Sequence, residues 1–99
     1  MITDKKYWEI CNKFSYIEMD EEQTNYVTEI EKQHFIPKAK KMLDEGFTKA
    51  ELAACIHNLY AEYEIIDFPI FYEIEFSGDD WEQGYKMYME EKFENPLRD

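Results

Sequence analysis

Apolar residues recur at helical spacing along most of this chain, beginning close to its first residue. Thr3 is a residue type that caps helix N-termini, and Asp4 follows it where a carboxylate complements the helix dipole. The apolar positions behind this cap are Tyr7, Ile10, Cys11, Phe14 and Ile17. Their period predicts an α-helix from about Asp4 to Glu18.

A second helical pattern starts after Asp20, which forms a predicted capping box with Gln23. Its apolar face carries Tyr26, Val27, Ile30 and His34, whereas Glu29, Glu31 and Lys32 fall on other sides. Pro37 interrupts the pattern, so either one helix kinks there or a second helix begins at this residue. Gly46 has the character of a C′ glycine and ends the segment.

The clearest local signal is the sequence Thr48-Lys-Ala-Glu51, a capping box flanked by apolar residues. Phe47 before the cap and Leu52 after it fit a hydrophobic staple. The predicted buried stripe behind the cap consists of Leu52, Ile56, Leu59, Tyr60 and Tyr63. We expect a helix from about Lys49 to Glu64.

Residues 65–76 have an ambiguous pattern. Ile70, Tyr72, Ile74 and Phe76 alternate with other residues in the two-residue period of a strand, and Pro69 would lie near its start. Because a single strand cannot satisfy its own backbone, it would pair with residues 65–68, with another copy of the chain or with a target protein. The alternative is a short helix with Pro69 in its first turn.

The last part of the chain predicts another helix, which starts at the turn Ser77-Gly78-Asp79-Asp80 and ends before Pro96. Its apolar positions are Trp81, Tyr85, Tyr88, Met89 and Phe93, and Gly84 is a weak point within it. The sequence as a whole predicts one mainly α domain over residues 1–99. It would have four or five helices and one short strand or hairpin near 65–76, and α+β is the alternative class.

Composition supports a compact protein without special chemistry. Aromatic residues make up 17% of the 99 residues, and there are only three glycines and three prolines. Cys11 and Cys55 lack a CxxC partner, which predicts reduced thiols. The first residues lack the apolar stretch of a signal peptide, and no apolar run approaches the roughly 18 residues of a membrane span. We therefore expect a cytoplasmic protein.

Catalytic and metal-binding motifs are absent from the sequence. Cys11, Cys55, His34 and His57 are the only residues for a Cys–His pair, and none lies in a known motif. Cys55 and His57 would point about 200° apart on a helix, so they cannot easily share an ion. There is no glycine-rich phosphate loop, HExxH or EF-hand pattern. These observations predict a non-enzyme without cofactor or metal.

The charge is strongly negative and unevenly distributed. The net charge is −12, and residues 43–99 contain fifteen acidic and four basic residues. Between Ala50 and Tyr85 there are nine acidic residues and no lysine or arginine. Nucleic acids and anionic membranes favour basic surfaces, so neither is an expected direct ligand. A basic protein is the expected partner.

Two functions follow from this pattern. The first is an inhibitor whose acidic face fills the basic nucleic-acid-binding groove of a nucleic-acid-handling enzyme. Small anti-CRISPR and antirestriction DNA mimics and nuclease-immunity proteins share this size and charge. The predicted partner-binding residues are Glu62, Glu64, Asp67, Tyr72, Glu73, Glu75, Asp79, Asp80, Trp81 and Glu82. On a strand, Glu73 and Glu75 would point the same way, roughly 6–7 Å apart.

The alternative function is a non-catalytic structural or adaptor domain in which the acidic half is simply solvated. Such a domain could form a homodimer through pairing of the predicted 70–76 strand.

Overall fold

The computed structural model describes residues 5–13, 20–63, 70–91 and 93–98, which contain only helices as regular secondary structure. They are α1 (Lys5–Lys13), α2 (Glu21–Asp44), α3 (Lys49–Tyr63), α4 (Ile70–Glu73), α5 (Gly78–Glu90) and a 3-10 helix (Pro96–Arg98). The predicted mainly α class is thus confirmed. The predicted extension of the first helix to Glu18, the end of the third at Glu64 and the hairpin at 65–68 lie outside the described residues.

The two predicted capping boxes are present and set where α2 and α3 begin. The Gln23 backbone N–H donates to Asp20 Oδ1 at 2.7 Å, and the Asp20 N–H donates to Gln23 Oε1 at 3.1 Å. Thr48 and Glu51 make the same reciprocal pair at 2.9 and 3.1 Å. These bonds satisfy N–H groups that have no partner within the helix.

Helix α2 continues through Pro37, so the chain forms one helix here rather than two. At 24 residues it is about 35 Å long, close to the 34 Å longest dimension of the molecule. It ends at Asp44, and Gly46 two residues later has a φ of 101°, in the left-handed region. The Gly46 N–H donates to the Leu43 carbonyl and the Phe47 N–H to the Met42 carbonyl, which is a Schellman motif.

Helix α3 is buried around most of its circumference. Ala50, Leu52 to Ile56 and Leu59 are all buried, a pattern expected for a central helix. Its most extensive partner is α5. A Cβ atom at Gly84 of α5 would lie 2.6 Å from Ala53 Cβ and 2.7 Å from the Ala50 carbonyl oxygen. Gly84 is a weak point of the helical pattern by itself, but its missing side chain allows the two helices to touch.

Glu31 is buried, although the helical pattern assigned it to another side of α2. Its side chain is 1% exposed, and the buried Tyr7 hydroxyl of α1 donates to Glu31 Oε1 at 3.2 Å. A buried carboxylate requires such donors, since its transfer from water is costly. The placement of Glu31 outside the core was wrong because a tyrosine from a distant segment solvates it.

The predicted strand over residues 70–76 was also wrong. Ile70–Glu73 form the short helix α4, and the Ile74 N–H donates to the Ile70 carbonyl at 2.9 Å. Ile70 and Ile74 are both buried. Their spacing of four residues fits both a strand period of two and one turn of helix, so the sequence pattern alone could not distinguish these structures. The alternative of a short helix was the correct one.

Within the described residues, none of the helices combines the length and the apolar character needed to cross a membrane.

Replacing Gly84 with alanine should destabilise the protein, although alanine in a helix interior normally gains about 1 kcal/mol over glycine. Because the new methyl group would overlap α3, we expect a loss of roughly 2 kcal/mol or more in the free energy of unfolding. Urea denaturation followed by circular dichroism measures this change. Gly78→Ala is the matched control, since no atom lies within 4 Å of its added Cβ. A Gly84→Ala protein as stable as Gly78→Ala would contradict the proposed helix contact.

Candidate functional site

Six aromatic rings from α3, α4, α5 and the segment between the last two form a connected cluster. We call it the aromatic cluster, and its members are His57, Phe71, Phe76, Trp81, Tyr85 and Tyr88. The Trp81 ring centroid lies 4.7 Å from that of His57, 5.3 Å from Phe71 and 5.1 Å from Phe76. These separations are typical of favourable aromatic pairs.

The position of the cluster follows from the contact at Gly84. Trp81, Tyr85 and Tyr88 are separated by four and three residues, so they lie along one side of α5. The close approach of α5 to α3 brings this side next to His57, which lies 5.5 Å from the Tyr85 ring and 6.2 Å from the Tyr88 ring. Trp81, Tyr85 and Tyr88 therefore lie beside the contact between α3 and α5 and not between the two helices.

Much of this surface is exposed to solvent. Tyr60 is 38% exposed, Phe71 39%, Tyr85 51% and Met89 61%, which are the large apolar residues of the described part with the greatest exposure. The prediction that Tyr60 belongs to the buried stripe was wrong. Contiguous exposed apolar surface on a small protein commonly marks a site of interaction.

Two open grooves meet at Phe71 and Trp81. The first, which we call the apolar groove, has a volume of about 260 Å³ and is lined by Ile56, His57, Tyr60, Phe71 and Trp81. The second, the acidic groove, has a volume of about 590 Å³ and is lined by Phe71, Glu73, Ile74, Glu75, Phe76 and Trp81. The two shared rings thus separate an apolar surface from one that carries two carboxylates.

Several of the predicted partner-binding residues lie around these grooves. Glu73, Glu75 and Trp81 line the acidic groove directly. Glu73 is paired with Lys40 of α2 across 3.3 Å, whereas no basic side chain among the described residues pairs with Glu75. The strand geometry proposed for these two glutamates does not apply, because Glu73 ends α4 and Glu75 follows it.

Three other predicted acidic residues lie on the first turns of α5. Asp79 accepts a hydrogen bond from the Gln83 side chain at 2.8 Å, and Glu82 is paired with Lys86 at 3.5 Å. Asp80 belongs to a capping box with Ser77, whose backbone N–H donates to it at 2.9 Å. This backbone bond, with a further one to the Ser77 side chain, holds the pKa of Asp80 below its usual value. Asp80 therefore has a structural role at the start of α5.

Four predicted site residues are not characterised by the structure. Glu64 and Asp67 lie outside the described residues. Glu62 and Tyr72 belong to α3 and α4, but their side chains lie outside the description.

Sequence reasoning missed six residues of the same surface, which are His57, Tyr60, Phe71, Phe76, Tyr85 and Tyr88. The helical spacing of Trp81, Tyr85 and Tyr88 was visible, but the side of α5 that faces α3 was not.

His57 is held in a largely apolar setting inside the cluster. Burial lowers the pKa of His57, and the nearby Trp81 backbone acts more weakly in the opposite direction. The His57 Nε2 atom is buried without a hydrogen-bond partner in the described part of the chain. The ring contributes apolar surface to the groove and is poorly placed to act as a general base.

Cys55 is a buried thiol with no feature of a nucleophile. Burial, and secondarily the charge of Glu51, raises its pKa to about 12. Its Sγ atom lies 3.8 Å from the Glu94 carbonyl oxygen. In the described residues, no three His, Cys, Asp or Glu side chains are grouped so that they could hold a metal ion. The side chain of Cys11, the other candidate, lies outside the description.

Comparisons with protein-family models, with curated proteins and with solved structures find no match for this chain.

The raised pKa of Cys55 predicts that this thiol is inert in the folded protein. Below pH 12 the unreactive protonated form dominates, so alkylation at pH 8 should be slower by at least about a hundredfold than in denaturant. Iodoacetamide labelling followed by peptide mass spectrometry distinguishes Cys55 from Cys11. Labelling of Cys55 in the native protein at the rate of a free thiol would contradict its burial.

Proposed function

We propose that this protein is an inhibitor that binds a basic partner through the aromatic cluster and its flanking carboxylates. In doing so it would occlude a groove in which the partner holds nucleic acid. The observation that supports this proposal best is the partly exposed aromatic cluster, which borders Glu73 and Glu75 on a protein of net charge −12.

The aromatic residues would supply most of the binding energy. Protein interfaces concentrate their energy in a few large side chains, with tryptophan and tyrosine prominent among them. Trp81, Tyr85 and Phe71 offer such side chains on one surface, already held in place by their ring contacts. Preorganised side chains lose little conformational freedom on binding, which favours affinity.

The carboxylates would make binding specific for a basic partner and would raise the association rate. A basic groove attracts a protein of high negative charge from a distance, and this steering raises the association rate. Proteins that bind single-stranded nucleic acid combine cationic side chains for the phosphates with surfaces on which bases stack. A face that carries carboxylates next to aromatic rings presents the two kinds of group that such a groove binds in nucleic acid. The carboxylates correspond to the phosphates and the rings to the bases. We infer that it competes with nucleic acid for such a groove.

The homodimer alternative loses the element on which it depended, because Ile70–Glu73 are helical. Self-association through the aromatic cluster would instead bring together two proteins that each carry a net charge of −12. Their mutual repulsion favours a partner of opposite charge.

The test compares two variants with the same net charge. Glu73→Lys with Glu75→Lys reverses both carboxylates of the acidic groove, and Glu9→Lys with Glu29→Lys is the control. Each pair changes the net charge from −12 to −8, and each breaks one exposed ion pair, Lys40–Glu73 or Lys5–Glu9. Glu29 lies on α2, roughly 16 Å along the helix from Lys40. All side chains changed are exposed.

We expect the wild type and the control to capture the same basic protein from a bacterial lysate, and the groove variant to lose it. Added salt should release the protein, because exposed charges are screened within about 8 Å at physiological ionic strength. The captured protein should then lose binding to an oligonucleotide as this protein is added stoichiometrically. Equal capture by both variants, or simultaneous binding of oligonucleotide and inhibitor, would overturn the proposal.

A further inference from the structure

We propose that the two grooves bind two neighbouring side chains of the partner, an arginine in the acidic groove and an apolar side chain in the apolar groove. This inference rests on the proposed function and adds the chemistry of the segment that is recognised. It follows from two observations. Both grooves are lined by Phe71 and Trp81, but only the acidic groove is also lined by carboxylates.

The acidic groove combines two features that suit a guanidinium group. Phe71, Phe76 and Trp81 contact one another with centroid separations of 5.1 to 6.2 Å, so they form a continuous aromatic wall. Glu73 and Glu75 line the same groove. A cation over an aromatic face is attracted by the ring quadrupole, and a carboxylate accepts charge-assisted hydrogen bonds.

Arginine fits this combination better than lysine does. Its guanidinium is planar and weakly hydrated, so it can stack on a ring while its N–H groups reach a carboxylate edge. The ammonium group of lysine is compact and strongly hydrated, and it lacks a flat face. A wall of three rings beside carboxylates therefore discriminates between the two cations, whereas carboxylates alone would not.

The apolar groove has the size and lining for one uncharged side chain. Its volume of about 260 Å³ is below the roughly 300 Å³ at which small-molecule sites begin. None of the described residues that line it carries a carboxylate, and Ile56, Tyr60 and Phe71 provide apolar walls. Because Phe71 and Trp81 also border the acidic groove, its occupant must lie next to the arginine.

Lys40 occupies part of the position that the arginine would take. Its Nζ atom lies 3.3 Å from Glu73 Oε2, and both side chains are about half exposed. An exposed ion pair of this kind contributes little to stability, so it can be exchanged for another cation. Removing the lysine charge with Lys40→Gln should therefore leave folding intact and make Glu73 fully available to the partner.

The experiment uses the 99-residue protein with Trp8→Phe, which leaves Trp81 as its single tryptophan. Trp81 fluorescence is titrated with short blocked peptides that contain adjacent leucine and arginine in either order within a glycine–serine background. Matched peptides replace arginine with lysine, or leucine with alanine. Peptide affinities in the range of about 0.1–1 mM suffice for this comparison.

We expect at least one leucine–arginine peptide to bind, and either replacement to weaken binding by about fivefold or more. Phe71→Ala should abolish the difference between arginine and lysine. Met89→Ala should preserve it, because Met89 is exposed but lines neither groove. Lys40→Gln should strengthen binding of the arginine peptide by about two- to fivefold. Circular dichroism confirms that each variant is folded.

Equal affinity for arginine and lysine peptides, or no binding of any peptide at 5 mM, would overturn this inference. Equal effects of Phe71→Ala and Met89→Ala would overturn it as well. The experiments distinguish failure of this inference from failure of the proposed function. If Glu73→Lys with Glu75→Lys loses the captured partner while the peptides show no arginine preference, the inhibitor stands and the arginine recognition falls. If the preference is found but the partner still holds nucleic acid, the occlusion mechanism falls.

Discussion

The contact between Gly84 and the alanine-rich side of α3 is the constraint on which the rest of this structure depends. An ideal Cβ at Gly84 would lie within 3 Å of Ala53, Ala50 and Ala54, so no other residue type fits without movement. Small residues on both helices allow this approach. It fixes the rotation of α5, and the rotation in turn decides that Trp81, Tyr85 and Tyr88 lie around His57 at the edge of the interface.

The distribution of charge follows the same arrangement. Helix α4 and the segment after it place Glu73 and Glu75 at the border of the aromatic cluster. Like charges on one face oppose folding through mutual repulsion. Lys40 and Lys86 offset part of this cost through exposed ion pairs with Glu73 and Glu82. Among the described residues, no lysine or arginine pairs with Glu75.

Local signals in the sequence were sufficient to predict the long helices and where α2, α3 and α5 begin. Asp20 with Gln23 and Thr48 with Glu51 make capping bonds within four residues, so both partners of each bond are visible in the local sequence. The features that local signals did not predict depend on residues far apart in the chain. Glu31 is buried because Tyr7 reaches it, and Gly84 is essential because α3 lies against it. The acidic residues of the candidate site could be predicted from the excess of Asp and Glu in the second half of the sequence. Its aromatic half required knowledge of which side of α5 faces inward.

The central claim is that the aromatic cluster with its flanking carboxylates is the surface that meets a basic partner. Hydroxyl-radical footprinting of the protein with and without the captured partner tests it most directly, with mass spectrometry reporting each side chain. Tyr85 and Phe71 are exposed in the free protein and should become protected in the complex, while the partly buried Trp8 on α1 should keep its reactivity. Unchanged oxidation of Tyr85 and Phe71 in a saturated complex would place the interface elsewhere and contradict the account.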